Sequence, residues 1–116
     1  MTTGAEGCIF CGIVAGTVPA DVVHRTDRSV AFRDLSPVAP THVLVVPVEH
    51  HEDAAALAAA DPEGAADLVT TAAAIAEAEG LTGYRLVYNT GREAGQTVFH
   101  THLHLVGGRS LTWPPG

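Results

Sequence analysis

The sequence predicts an α+β domain built on a mostly antiparallel sheet. Three observations lead there. The β-prone runs and helical stretches do not alternate strictly, as a doubly wound parallel sheet would require. The segment "HVLVVPV", residues 42–48, is a continuous apolar run that suits a strand buried on both faces. Two alanine-rich stretches follow it directly, and alanine is the strongest helix former. At 116 residues the chain makes one domain over 1–116, without an internal repeat or linker.

The elements follow in order. "CIFCGIVAG", residues 8–16, spaces Ile9, Ile13 and Val14 helically and stops at Gly16. Residues 22–25 and 30–33 are short β-prone runs around Thr26, Asp27 and Arg28, which reads as a hairpin. "SPVAPTH" is a loop punctuated by Pro37 and Pro40 and leads into the strand at 42–48. "EDAAALAAAD" predicts a short helix and "DPEGAADLVTTAAAIAEAEG" a longer one. In the longer helix Asp61 caps, Pro62 takes the first position and Glu63 favours the positive N-terminal end. Its apolar stripe is Leu68, Val69, Ala72, Ile75 and Ala76, and Gly80 ends it. "YRLVYN", 84–89, and "VFHTHLHLV", 98–106, are the last two strands, joined by the glycine-containing loop "TGREAGQ". An irregular tail closes the chain.

Composition removes several function classes. Six Lys plus Arg against thirteen Asp plus Glu leave a formal charge of −7, and no basic run exists, which argues against a nucleic-acid polymer as partner. A small anion held by backbone N–H groups is still compatible with that charge. No apolar run approaches the ~18–20 residues of a membrane span. The opening "MTTGAEG" lacks a basic and an apolar region, so residues 1–7 read as a flexible N-terminus and the cytoplasm as the expected location. In a reducing compartment Cys8 and Cys11, spaced C-x-x-C, suggest metal or redox chemistry before a disulfide. Packing as a pair of small buried apolar groups is the alternative.

The chemistry concentrates in "HTHLHLV". If residues 98–106 are one strand, His100, His102 and His104 share a face while Leu103 and Leu105 anchor the other. Neighbouring histidine Cα atoms would stand ~6.6 Å apart and the outer pair ~13 Å, from a rise of ~3.3 Å per residue. Adjacent members can converge on one small group, whereas all three cannot readily share one metal. Three explanations stand open: a solvent-facing polar strand, a zinc hydrolase with H-x-H ligands and an open position for water, or an imidazole nucleophile whose neighbours hold charge. The preceding "GREAGQT" offers backbone N–H groups and the side chains of Gln96 and Thr97 as donors for a phosphate, which favours chemistry at phosphorus.

The stretch "AGQTVFHTHLHLVGGRSLTWPPG", together with "CIFCGIVAGTVPA", "AFRDLSPVAPTHVLVVPVEH" and "YRLVYNTG", resembles the histidine-triad hydrolases, in particular their Hint-like branch of nucleoside phosphoramidases. The resemblance runs collinearly along nearly the whole chain. It implies a five-stranded, mostly antiparallel HIT-like sheet with two main helices, doubled in a homodimer into a continuous ten-stranded sheet. It implies hydrolysis of purine, notably adenosine, phosphoramidates or aminoacyl-nucleotide adducts such as those of AMP, through a covalent nucleotidyl-histidine. Carried onto this chain, His102 is the nucleophile, His104 hydrogen-bonds the phosphate or the leaving group, and His42 tunes the triad. Gly95, Gln96 and Thr97 cradle the phosphoryl oxygens, Asp34 holds the ribose hydroxyls, Leu35 lies near the base and Asn89 frames the site. A structural, non-catalytic zinc is implied at Cys8, Cys11, His50 and His100, with His51 as the alternative to His50. The tail from 107 to 116, with Trp113, is implied to shape the pocket across the dimer. Thr101 and Thr97 depart from the usual apolar residue and Ser without removing a catalytic atom. A non-catalytic nucleotide-binding or adaptor module on the same fold is the other function compatible with these residues.

Overall fold

A computed structural model describes residues 7–116. All but the last position of the expected flexible N-terminus lie outside the described residues. The elements are α1 (Ile9–Ala15), β1 (Val22–Arg25), β2 (Ser29–Arg33), β3 (Thr41–Pro47), α2 (Ala54–Ala60), α3 (Pro62–Ala78), β4 (Tyr84–Val87), a 3-10 turn (Arg92–Ala94) and β5 (Leu103–Gly107). The five strands form one sheet in the order β1-β2-β3-β5-β4. Every neighbouring pair is antiparallel, as the α+β expectation requires.

The sheet is covered on both faces, which explains the continuous apolar run of β3. One core cluster joins Val43, Val45, Leu103 and Leu105 to Leu57 of α2 and to Leu68, Ala72 and Ile75 of α3. The opposite cluster joins Val30, Phe32, Leu44 and Val46 to Phe10 and Ile13 of α1. Every residue of β3 is buried. Local signals set the helix boundaries. Asp53 and Asp61 accept the backbone N–H groups of Ala56 and Gly64 as caps. Gly16 ends α1 at φ 81°, a left-handed conformation that a side chain would strain.

Three expectations change. Val69 is 44% exposed and leaves the apolar stripe of α3, and Thr71 is buried in its place, bonded to Ser29 and Asp67. β4 stops at Val87, so Tyr88 and Asn89 lie beyond it. Most consequential, β5 begins only at Leu103, so His100 and His102 precede the strand and do not share a strand face with His104. The β3–β5 ladder ends at the pair Val45↔Leu103. Two residues further along β3 stands Pro47, which has no N–H to extend the ladder. The chain turns away instead. Thr101 donates its backbone N–H (2.8 Å) and its hydroxyl (3.0 Å) to the carbonyl of His51, which satisfies the hydroxyl that burial would otherwise orphan.

Candidate active site and metal centre

His42 on β3 and His104 on β5 lie on the α1 side of the sheet, with Nε2 of His42 2.9 Å from Nδ1 of His104. The backbone fixes where their protons sit. The N–H of Val38 donates to Nδ1 of His42 (3.2 Å), so that nitrogen carries a lone pair and Nε2 carries the proton. Nε2–H therefore donates to Nδ1 of His104, and His104 keeps its own proton on Nε2. That Nε2 is buried without a partner among the described residues, a donor held ready inside the site. Burial, assisted by His102 and His42 and opposed by Asp34, pushes His104 down to about 4, so the ring is neutral near pH 7. Asp34 stands beside the pair, its Oδ2 3.5 Å from Nε2 of His42, while its Oδ1 accepts the N–H of Ser36 (2.8 Å).

His102 is set by a different carbonyl. Its Nδ1 lies 2.8 Å from the backbone oxygen of His100, buried. A carbonyl only accepts, so Nδ1 carries the proton, and in the neutral ring Nε2 is a bare lone pair. The ring packs edge-on against Phe10 (centroids 5.0 Å apart, planes at 78°) and sits 5.2 Å from the ring of His104. A lone pair on one imidazole thus stands beside an N–H on the next, which suits nucleophilic attack paired with stabilisation of a leaving group or oxyanion.

Next to this trio, a cavity of about 320 Å³ opens between α1 and β2, lined by Ile9, Ile13, Phe32, Asp34, Leu35 and Leu44 among others. Its mostly apolar wall, with the carboxylates of Asp21 and Asp34 among the lining residues, suits a flat ring bearing hydroxyls. A larger cavity, about 700 Å³, lies where Gly80–Arg85 meets Gly108–Leu111; the smaller one adjoins the histidines, since its lining residues Asp34 and Phe10 touch His42 and His102. Asp34 and Leu35, singled out from the sequence, line this cavity together with Ile9, Ile13 and Phe32, which were not. Leu35 at 98% exposure and Ile9 at 49% show that some apolar residues serve the cavity and not the core.

The loop before the triad is stapled by Gln96. Its side-chain oxygen accepts the N–H of Gly91 (2.8 Å), and its amide nitrogen donates to the carbonyls of Glu52 (2.8 Å) and Val98 (3.1 Å). Those bonds occupy the amide within the loop, so Gln96 shapes the turn instead of offering donors outward. Gly95 supplies the φ of 91° that the turn needs. Thr97 is exposed beside it, and Asn89 is half-buried just past β4. The tail starts close by, with Arg109 donating to the carbonyl of Val38 (3.1 Å), but Trp113 at its far end is 82% exposed.

Cys8, Cys11, His50 and His100 form a separate cluster. Their ligating atoms all lie within 4.8 Å of one another. Nδ1 of His100 is 3.4 Å from each sulfur and 3.2 Å from Nδ1 of His50, which is itself 3.3 Å from Cys11. One ring nitrogen has a single lone pair or proton and cannot serve three partners, so the four atoms converge on a common point. Tetrahedral bonds of ~2.3 Å to sulfur and ~2.0–2.1 Å to nitrogen give nitrogen–nitrogen and nitrogen–sulfur edges of roughly 3.3–3.6 Å, close to those found. Nε2 of His100 donates to the carbonyl of Pro47 (2.9 Å), which leaves Nδ1 free to ligate. Burial lowers His50 and takes His100 down to about 4, keeping both rings neutral. Burial and the neighbouring Cys8 push the Cys11 thiol up to about 11, and a cation at the centre would offset that cost. His51 stays outside, 3.4 Å from Glu49. The donor atoms of Asp34, His42 and His104 also cluster within 4.8 Å, but the proton on Nε2 of His42 makes that group a hydrogen-bonded relay. His102 belongs to neither cluster, which removes the H-x-H metal arrangement considered from sequence.

Known proteins share this sequence and fold. A sequence model of the HIT domain matches residues 15–111. A HIT-like protein of Synechococcus elongatus is 48% identical over 113 residues, covering 97% of this chain and 99% of its own. The purine nucleoside phosphoramidase of Escherichia coli is 44% identical over 109 residues, 92% of each chain. The crystal structure of a HIT family hydrolase from Legionella pneumophila superposes with a TM-score of 0.91 at 46% identity, covering 95% of this chain and all of the other. Fold and sequence agree, and the chain belongs to the HIT family.

Proposed function

We propose that this protein is a nucleotide-binding hydrolase that cleaves purine nucleoside phosphoramidates, adenosine derivatives first, or aminoacyl-nucleotide adducts. The observation that carries the proposal is the fixed, opposite protonation of two adjacent rings, a lone pair on Nε2 of His102 and an N–H on Nε2 of His104. The similarity to a purine nucleoside phosphoramidase and to HIT family hydrolases supports it.

In the first step Nε2 of His102 attacks the α-phosphorus, a P–N(His) bond forms and the bond to the leaving nitrogen breaks. The amine departs with a proton taken up from solvent, and the ring is left as a nucleotidyl-histidinium, its Nδ1–H still on the carbonyl of His100. The Nε2–H of His104 stabilises the leaving nitrogen or a phosphoryl oxygen, and His42 keeps it in that tautomer. In the second step water attacks phosphorus, the P–N(His) bond breaks, and the proton returns to solvent with release of the nucleoside monophosphate. Asp34 would take the ribose hydroxyls, with the base against Leu35 and the apolar wall of the cavity. Thr97, the loop backbone near Gly95 and Asn89 would frame the phosphate, with Gln96 acting through the loop.

Zinc fits the two-cysteine, two-histidine cluster as a closed structural site, contributing a cross-link and charge compensation and no reaction step. The unpaired edge of β4 and the exposed Trp113 suit the homodimer that the family resemblance implies. Incubating the protein with adenosine 5′-phosphoramidate and following AMP release tests the function. Turnover that His102→Ala abolishes, with AMP still bound by the variant, supports it. Binding of AMP without turnover by the unaltered protein would favour the adaptor role.

A further inference from the structure

We infer that the Cys8, Cys11, His50 and His100 centre is a positioning device for the nucleophile, so that filling it with a metal ion aims His102 at phosphorus. The inference rests on the proposed hydrolase function and adds a task to a site otherwise read as a stabilising cross-link.

The geometry runs through three short segments. His100 is fully buried and faces the centre with its ring while its carbonyl receives the Nδ1–H of His102. Whatever holds that ring therefore holds the acceptor that orients the nucleophile. α1 starts at the ligand Cys8, whose sulfur accepts the N–H of Cys11 (3.3 Å). Between the two cysteines stands Phe10, and its ring packs edge-on against both His100 (6.0 Å) and His102 (5.0 Å). The third segment carries His50; the next residue, His51, gives its carbonyl to both donors of Thr101. The four ligands thus tie together residues 8–11, 50–51 and 100–102, and each segment touches His102 or its immediate neighbour.

Residues 100–102 need such a tie because they lie outside the sheet. His104 and His42 sit on paired strands and Asp34 directly follows β2, its N–H on the carbonyl of His42. His102 has no ladder hydrogen bonds to define it. A small misplacement of a reacting group costs on the order of 10²-fold in rate, whereas the contacts open to a nucleoside are spread over Phe32, Arg33 and Leu44 of the sheet, the loops at 18–21 and 34–35 and one side of α1, so that no single shift removes them. An empty centre should therefore lower kcat far more than it weakens nucleotide binding.

The test compares the full-length protein loaded with zinc and stripped with a chelator, with circular dichroism confirming that both are folded. Long-range nitrogen NMR reads the His102 tautomer, calorimetry reads AMP affinity, and adenosine 5′-phosphoramidate reads turnover. We expect a single Nδ1–H form of His102 in the loaded protein and a mixture in the stripped protein. We also expect kcat to fall at least about tenfold while AMP affinity changes by less than about threefold. Phe10→Leu, which leaves every ligand in place, should broaden the His102 signal in the loaded protein. The inference is overturned if zinc does not bind, if the tautomer and kcat are indifferent to zinc, or if activity disappears only in step with unfolding. The tautomer needs no turnover to be read, so an ordered His102 in a loaded but inactive protein would count against the hydrolase function and not against the positioning role.

Discussion

Replacing His42 by alanine separates proton placement from substrate binding. His42 is 7% exposed and makes two ring hydrogen bonds, from the N–H of Val38 and to Nδ1 of His104. Val38 is 58% exposed, so its freed N–H can turn to water. Nδ1 of His104 has no such recourse, and an orphaned buried polar atom costs about 1–3 kcal/mol of stability. The functional loss follows from the tautomer. Without the donor at Nδ1, His104 can take the Nδ1–H form and present a lone pair where the leaving group needs a hydrogen-bond donor. A hydrogen bond to a charge-bearing group contributes about 1.5–3 kcal/mol, and at about 1.4 kcal/mol per decade the expected fall in kcat is about 10- to 150-fold. His42 does not line the cavity between α1 and β2, so KM should stay within about threefold. Initial rates with adenosine 5′-phosphoramidate, on protein shown to be folded, make the measurement. Full turnover in His42→Ala, or a loss carried by KM, would refute the relay.

Other consequences are open to direct measurement. The folded-state value of His104 at about 4 lies below that of an unfolded histidine, near 6.5, so between those pH values the unfolded chain binds a proton that the folded chain does not. Stability contributed by this ring is therefore complete above about pH 6.5, falls as the pH drops toward 4 and levels off below it. The whole effect is at most about 3 kcal/mol before solvent screening of a half-buried ring reduces it. Urea titrations of the unaltered protein and His104→Asn across that window should show the difference, and parallel curves would contradict it. Gln96→Ala removes three hydrogen bonds of a side chain that is 3% exposed and should cost about 2–4 kcal/mol in urea unfolding; a loss under about 0.5 kcal/mol would show that the loop holds itself. Leu35→Ala should leave stability within about 0.5 kcal/mol but raise KM severalfold, and an unchanged KM would place the base elsewhere.

The fold was largely readable because its signals are local. Asp53, Asp61 and Gly16 mark helix ends by capping chemistry, and the apolar run of β3 reports burial on two faces. The metal cluster was also legible, since the resemblance pointed to the four residues that the fold brings together. What the sequence concealed depends on contacts distant along the chain. Alternation in "HTHLHLV" looks like strand period, yet Pro47 ends the partner ladder, and the carbonyl of His51 draws Thr101 away. Gln96 reads as a donor for a ligand until Glu52, far off in sequence, is seen to accept from it. Val69 fits the helical stripe by spacing and Thr71 does not, but the buried partners Ser29 and Asp67 make Thr71 the inward residue. The wall of the cavity between α1 and β2 was hidden for a similar reason: Ile9 and Phe32 are ordinary apolar residues until α1 and β2 are placed side by side.

The claim on which the account depends is that the free Nε2 of His102 forms a bond to phosphorus. The most direct measurement is to quench the protein with acid-free denaturant within its first turnovers on adenosine 5′-phosphoramidate, digest it and map the adduct by mass spectrometry. The account predicts one adenylyl group on His102, absent from His102→Ala and formed more slowly when His104 is replaced by asparagine. An adduct on another residue, or steady AMP release with no adduct in any of the three proteins, would contradict it.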